Sequence, residues 1–549
     1  MALLVDLFGY LSIIIHGLTI VAQSLALGGI LFLVLLARPL ADDIPDGRGI
    51  SLSTARIVGW SALALMACEA TTVALQGAVL VDTVGLPWSN VLTASFAVAG
   101  LVKCAAAGAL ASCLLLRGRT PAPILLTLGG IELAAATLTT HAAARMDDHG
   151  LLLAVEALHQ LGAAIWIGGI PCFVMALGRV HEPGAWRRVA ARFSRISMAG
   201  VVCILVSGSV MSLFYIGSWG ALYGTAYGVM VIAKLAMFAA LLLLGLGNFL
   251  VTTRLRHDPA APVLRMKRFA EVEIGIGISI FFAAASLTSV PPGIDLKQDR
   301  VTWAEVLERN TPVWPRMASP GYDALALPGL QAKLDADAAV QARSTAQAAS
   351  IPGSGELPPR NADDIAWSEY NHHWAGLFVL LVGGVALLNQ AGVRWARHWP
   401  LLLLGLAAFL LVRSDPEVWP MGYVPFFAAF RDVEVLQHRM FVLLIVVFAV
   451  FEWGVRVGRI RSRRAALVFP LLTAAGGALL LTHSHAIANV KDQLLIELTH
   501  TPLALAGVAA GWARWLELRL EGREARVAGW VWPVCFLVCG AVLLMYREA

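Results

Sequence analysis

The sequence predicts an all-α, polytopic transmembrane helical bundle of about 14 spans in two halves, with a mostly irregular polar segment between them. Three observations predict it. Hydrophobic residues make up 58% of the 549, charged residues only 14%, and mean hydropathy is +0.73, where a soluble chain carries roughly 25% charged residues. Apolar runs of about 20 residues, enough to cross a bilayer at roughly 1.5 Å each, recur along the whole length. Basic residues gather in alternate loops. The net charge of +5 follows from that loop bias and requires no nucleic-acid partner. Seven cysteines occur without a C-x-x-C pattern, nearly all inside apolar spans, which speaks against a disulfide framework or a thiolate zinc site. The first 40 residues lack a basic leader and a small-residue cleavage site, so they read as a retained first helix.

In chain order the front-half runs fall at about 9–37, 57–81, 91–116, 121–144, 150–178, 196–216, 227–252 and 270–290. Back-half runs follow at about 372–392, 399–413, 438–457, 465–485, 493–516 and 527–546. The run 399–413 is the shortest, and were it re-entrant everything after it would invert. Loop charge argues for the full count. Arg38, Arg48 and Arg56 lie in the first loop and Arg117 and Arg119 in the third. The fifth loop region holds Arg179, Arg187, Arg188, Arg192 and Arg195, and the seventh Arg254, Arg256, Arg265, Lys267 and Arg268. The second and sixth carry almost none, so the odd loops are expected in the cytoplasm and both termini in the periplasm. Arg394 and Arg397, then Arg456 to Arg464, then Arg519 to Arg526, each follow a span that should end inside.

Between the eighth and ninth runs the composition changes. Residues 291–369 begin with Pro291-Pro292, pass through an Ala/Gln/Asp-rich stretch and include IPGSGELPPR, a composition of short helices and linker. The expected domains are therefore an eight-span membrane domain at 1–290, a periplasmic polar segment at 291–369 and a six-span membrane domain at 370–549.

One pattern occurs in both halves. Residues 140–159 read THAAARMDDHGLLLAVEALH and residues 482–500 read THSHAIANVKDQLLIELTH. Each has Thr-His at the end of an apolar run, a polar turn, then Glu-x-x-His inside the next run. The first copy contributes His141, Glu156 and His159; the second contributes His483, His485, Glu497 and His500. Helical spacing puts Glu156 beside His159 and Glu497 beside His500, within lipid-spanning stretches. Carboxylate and imidazole cost several kcal/mol to desolvate without a partner, proton or metal, so such pairs mark candidate functional sites. His372, His373 and His438 also begin spans from the outer side. Of the thirteen histidines, only His181, His257 and His398 fall toward the cytoplasm.

The bland readings apply elsewhere. A lone His at a span end, such as His16 or His149, is ordinarily an interface or capping residue. Glu69 and Lys103, mid-membrane in adjacent spans, read as a buried ion pair that fixes packing. Cys535 and Cys539, one turn apart, read as small packing residues, and Trp512, Trp515, Trp530 and Trp532 as an interfacial belt.

Imidazole with carboxylate suits Cu(II), imidazole with thioether suits Cu(I), and two axial imidazoles suit haem iron. Met146 and Met440 lie within a few residues of an outer His and would supply the soft ligand. There is no Walker A run and no C-x-x-C-H attachment site.

The run ALHQLGAAIWIGGI (157–170), then RFS (192–194), TAYG (225–228), Lys234, Asn248, Glu271 or Glu273, and LTSVPP (287–292) resembles the CopD copper-resistance family of bacterial inner-membrane proteins. That resemblance covers mainly 140–293. The back half, with EYNHHWAGL, LQHRMFVLL and GWARWLELRL, is similar to the C-terminal extension of longer proteins of that family. It implies copper handling at the inner membrane beside a CopC-type periplasmic carrier, with uptake into the cytoplasm the usual proposal. Residue chemistry leaves alternatives open. His159 and His500 are also candidate axial ligands of a b-type haem in an electron carrier or cupric reductase, and a scaffold role needs no ligand at all.

Overall fold

The computed structural model describes residues 2–116, 120–145, 147–258, 261–297, 300–320, 362–431, 433–482 and 490–547. These residues form helices and turns without a β-strand; an isolated bridge pairs Val418 with Val424. The chain is an all-α, multi-pass membrane protein. Each of the fourteen apolar runs coincides with helical structure. Among the described residues, eleven helices are long and apolar enough to cross a membrane, while Ala122–Thr137 and Ala465–Leu480 are shorter. Cα packing separates two compact units, Met1–Arg300 and, Leu481–Ser484 apart, the chain from Val301 to Ala549.

The front unit runs α1 (Ala2–Phe32), α2 (Gly47–Val84), α3 (Trp88–Thr93), α4 (Ser95–Leu115), α5 (Ala122–Thr137), α6 (His141–Ala144), α7 (His149–Ala163), α8 (Ile170–Arg179), α9 (Pro183–Tyr215), α10 (Trp219–Gly224), α11 (Ala226–His257) and α12 (Leu264–Leu287). Several helices overrun their apolar stretch at the basic end. α9 starts at Pro183 and α11 reaches His257, because Arg and Ala sustain a helix and long basic side chains carry their charge to the interface. α5 ends earlier than the apolar run. The hydroxyls of Thr137, Thr139 and Thr140 donate back to the carbonyls of Leu133, Ala136 and Thr137, drawing those groups into a turn before His141 opens α6.

Two π turns break the ladder, at Leu33–Ala37 after α1 and at Ala164–Gly168 between α7 and α8. The second begins five residues after His159, and such turns concentrate at functional sites. It also brings backbones together: a Cβ on Gly168 would lie 1.9 Å from the Ser24 carbonyl oxygen of α1, and one on Gly28 would lie 2.1 Å from that of Ala164. Small residues at such crossings replace the hydrophobic driving force that lipid removes. The motif TAYG has a similar physical basis. The Thr225 hydroxyl caps α11 by accepting from Gly228 N at 3.0 Å, while Gly228 passes against the Ala221 and Leu222 carbonyls.

In the back unit, α13 (Trp303–Arg309) is followed by α14 (Ala362–Gln390), α15 (Leu402–Arg413), α16 (Val433–Arg456), α17 (Val468–Leu480), α18 (Val490–Arg519) and α19 (Gly522–Leu544). A capping box between Thr302 and Glu305 starts α13. α14 begins at Ala362, inside the stretch read as irregular. Helices α14, α19, α18 and α17 pack successively along one another. Their core is aromatic: Trp399, Phe469 and Trp532 are almost completely buried, with Trp399 and Phe469 edge to face at 5.3 Å. Trp532 thus belongs to the core rather than to an interfacial belt. It is held there because its Nε1 donates to Glu517 Oε2 at 2.7 Å and Arg456 lies over its ring at 5.4 Å.

Candidate functional site

In the front unit the candidate residues sit on α7, and its helical turn sends them in two directions. Glu156 Oε1 accepts from Gln160 Nε2 at 3.0 Å, and Gln160 Oε1 accepts from Gln23 Nε2 of α1 at 3.1 Å. The carboxylate is therefore tied to a chain of side-chain amides. His159 points to α9, where its Nδ1 lies 3.0 Å from Ser207 Oγ beside Gly208. Ser207 has one hydroxyl hydrogen, and it points at the Cys203 carbonyl 2.6 Å away. Nδ1 must then be the donor to Ser207, which leaves the lone pair on Nε2, the arrangement that prepares an imidazole to ligate a metal. Lys234 of α11 is close enough to act electrostatically on both Glu156 and His159. Tyr215 and Tyr227 approach Glu156 from the loop end, where Arg145 lies 5.3 Å over the Tyr215 ring and pairs with both Asp295 oxygens at 2.9 Å. His149 donates from Nδ1 to the Arg145 carbonyl at 3.0 Å, and His141 is the first residue of α6.

The back unit gathers more of the predicted residues. His372 of α14 is close enough to act electrostatically on His373, His438 and His500. Its ring stacks on Tyr546 with centroids 3.9 Å apart, and His500 meets the same tyrosine edge-on at 6.1 Å. The Nδ1 of His372 donates to the Ser368 carbonyl at 2.8 Å, again leaving the lone pair on Nε2. His438 Nδ1 donates to Asp415 Oδ1 at 2.7 Å, a carboxylate–histidine pair of the kind that orients metal ligands. Asp415 is held in turn by Ser414 Oγ at 2.8 Å and Arg439 at 3.6 Å. Glu497 is 6% exposed and accepts from the Thr501 hydroxyl at 3.5 Å.

His373 differs from these. Its Nδ1 accepts from Arg316 N at 2.7 Å and its Nε2 donates to the Tyr546 carbonyl at 2.8 Å, so both nitrogens already bind α14 to the chain around it. His483 and His485 lie outside the described residues. Among the described residues no three His, Cys, Asp or Glu side chains meet as a metal-binding group. Among the described residues His159, His372 and His438 each have an oriented Nδ1.

Lys103 and Glu69 form a buried ion pair between α4 and α2, and Glu273 of α12 accepts from Asn248 Nδ2 of α11 at 2.6 Å while Glu271 pairs with Arg268. All seven cysteines are free thiols. Gln23, Gln160, Ser207, Asp415 and Tyr546 join these sites without having been candidates from the sequence. Asp415, an acid just past the outer end of a span, carried a legible signal; the others become informative only once neighbouring helices are known.

Residues 187–287, covering most of α9 to α12, match the family model described as Copper resistance protein D. The chain is also similar to the copper transport protein CutJ of Bacillus subtilis (strain 168), with 33% identity over 178 residues. That similarity spans 32% of this chain and 31% of the relative, about a third of each. No solved structure matches.

Proposed function

For a chain that belongs, over residues 187–287, to the CopD copper-resistance family, we propose that copper is the cargo and that it moves from the periplasm to the cytoplasm of a bacterial inner membrane. The observation that carries this reading is the overlap between the family match and the surroundings of His159. Ser207, Gly208 and Lys234 all lie within the matched stretch, although His159 itself precedes it. The relative named as a copper transport protein supports the same cargo.

In this reading His141, Glu156 and His159 receive copper in the front unit. In the back unit the receiving groups are His372, His438, Glu497 and His500, together with His483 and His485. His373 serves as a structural link. The Nδ1–H groups of His159 and His372 are fixed on oxygen acceptors, so Nε2 of each meets the ion without a tautomer change. Lys234 gives the front site a resident positive charge near Glu156. An arriving cation must displace that interaction, which favours transient over permanent binding. A periplasmic carrier of the CopC type would deliver copper at this face, with the expected topology putting both termini on the same side.

The test is copper entry into proteoliposomes containing the purified full chain, with metal analysis and an optical spectrum of the same preparation. Inward copper accumulation lost in His159→Ala, without a Soret band, is the expected result. A Soret band with no copper movement would replace this reading by a haem-based electron carrier.

A further inference from the structure

Beyond copper, we propose that the front unit holds one anionic phospholipid, its headgroup phosphate at an arginine mouth and an acyl chain in an apolar slot. The mouth is a cavity of about 350 Å³ formed by Arg187, Arg188, Arg192 and Arg195 of α9 and Arg256 of α11. Among the described residues, Arg187, Arg188, Arg192 and Arg256 have no carboxylate partner, and Arg195 donates through Nε to the Ala191 carbonyl of its own helix. Five guanidinium groups around one cavity repel one another unless an anion enters. A phosphate, with oxygens matched to the guanidinium fork, is the anion they suit best.

The slot lies along the same two helices. It is a cavity of about 420 Å³ whose α9 wall runs from Ala190 to Val202 and whose α11 wall runs from Leu242 to Thr252. Met198 of the slot lies one helical turn beyond Arg195 of the mouth, and Arg256 one turn beyond Thr252, so polar mouth and apolar slot adjoin on both helices. The α9 wall is roughly 18 Å long at 1.5 Å per residue, comparable to one leaflet of a ~30 Å hydrocarbon core. Its inner wall is sealed: Trp166, Phe173 and Phe193 are each at most 6% exposed. Its rim is open, with Met198 at 48%, Val202 at 57% and Leu246 at 53%. An apolar slot open sideways within the bilayer and capped by arginines at the end where the positive-inside rule expects cytoplasm fits a two-part ligand. Free phosphate would use the mouth alone.

Binding is read by native mass spectrometry of the delipidated full chain, titrated with phosphatidylglycerol, phosphatidylcholine or inorganic phosphate. The expected result is selective retention of phosphatidylglycerol. The Arg187→Gln/Arg188→Gln/Arg192→Gln variant should weaken it by on the order of a hundredfold, at roughly a factor of five per basic residue. Met198→Trp, which fills the slot from its exposed rim, should weaken phosphatidylglycerol and spare inorganic phosphate. Removing equal charge elsewhere, by Arg461→Gln/Arg463→Gln/Arg464→Gln, should leave retention unchanged and controls for bulk electrostatics. Equal retention of the two lipids, equal loss in both arginine variants, or displacement of lipid by phosphate with no effect of Met198→Trp would each overturn the proposal. Copper transport is not part of the readout, so the proposal stands or falls separately from the cargo assignment.

Discussion

Ser207 and Ser368 do the same work in different units: one offers a hydroxyl oxygen and the other a backbone carbonyl to the Nδ1–H of a histidine. Ser207→Ala should therefore reduce copper transfer about 10- to 100-fold, the usual cost of losing a partner that orients a metal ligand, while His159 remains present. His159→Ala and His500→Ala should each reduce copper-dependent uptake, and His257→Ala at the opposite end should not; equal tolerance of all three would leave the histidines as packing residues. Protons compete with copper for imidazole and carboxylate. Binding should weaken as pH falls, and Glu156→Gln/Glu497→Gln should flatten that slope without abolishing binding. A slope unchanged in the double variant would remove the carboxylates from the site. A separate residue-scale test concerns the Glu69–Lys103 pair. Lys103→Met alone strands a buried carboxylate and should cost about 3–5 kcal/mol, whereas Glu69→Leu/Lys103→Met should recover most of it, as seen in thermal unfolding. At this scale the sequence was informative about residue type and depth: Glu69 and Lys103, in adjacent spans, were legible as partners. The partners of His159 and His373 were not, because Ser207 and Arg316 are each about fifty residues away and no local pattern encodes which turn of a neighbouring helix faces a given side chain.

At the scale of the element, hydropathy located the long helices, passed over the short α10 and α13, and misjudged the ends. Apolar runs report where lipid begins, whereas helices stop where capping groups intervene, as the three threonines do after α5, or continue through basic and acidic turns, as α9 and α14 do. The π turn at Ala164–Gly168 left no trace in the apolar periodicity, since its neighbours are uniformly apolar. Its consequence is testable. Gly168→Ala would drive a Cβ to 1.9 Å from the Ser24 carbonyl, so α1 must withdraw or the turn must unwind. We expect about 1–3 kcal/mol of destabilisation together with reduced copper uptake, since the π turn follows the His159 turn directly. Gly130→Ala, whose new methyl group would meet nothing within 4 Å, should leave both unchanged. Loss of stability with full uptake would separate the π turn from the site.

At the scale of the whole molecule, side assignment rests on charge. Loops rich in Arg resist translocation, so the second and sixth loops and the polar stretch after α12 should all face outward. Trp314 lies in that stretch and is 94% exposed, which makes it a usable reporter. In a chain whose seven cysteines are replaced, Trp314→Cys should react with a membrane-impermeant maleimide in intact spheroplasts. A cysteine replacing Arg461, between α16 and α17, should react only in inverted vesicles. The pair tests more than orientation. α15 lies between the two reporters and was the shortest of the apolar runs; its helical stretch, Arg394–Arg413 with the preceding 3-10 turn, reaches 20 residues. If α15 crosses, α14, α15 and α16 make three crossings between the two reporters and leave them on opposite sides. If α15 is re-entrant, only two crossings remain and both cysteines react from the same side. Labelling of Trp314→Cys from outside together with Arg461→Cys from outside would therefore keep the polar stretch periplasmic while inverting everything after α15, and would put Tyr546 on the side opposite His372, which the stacking of their rings at 3.9 Å does not accommodate.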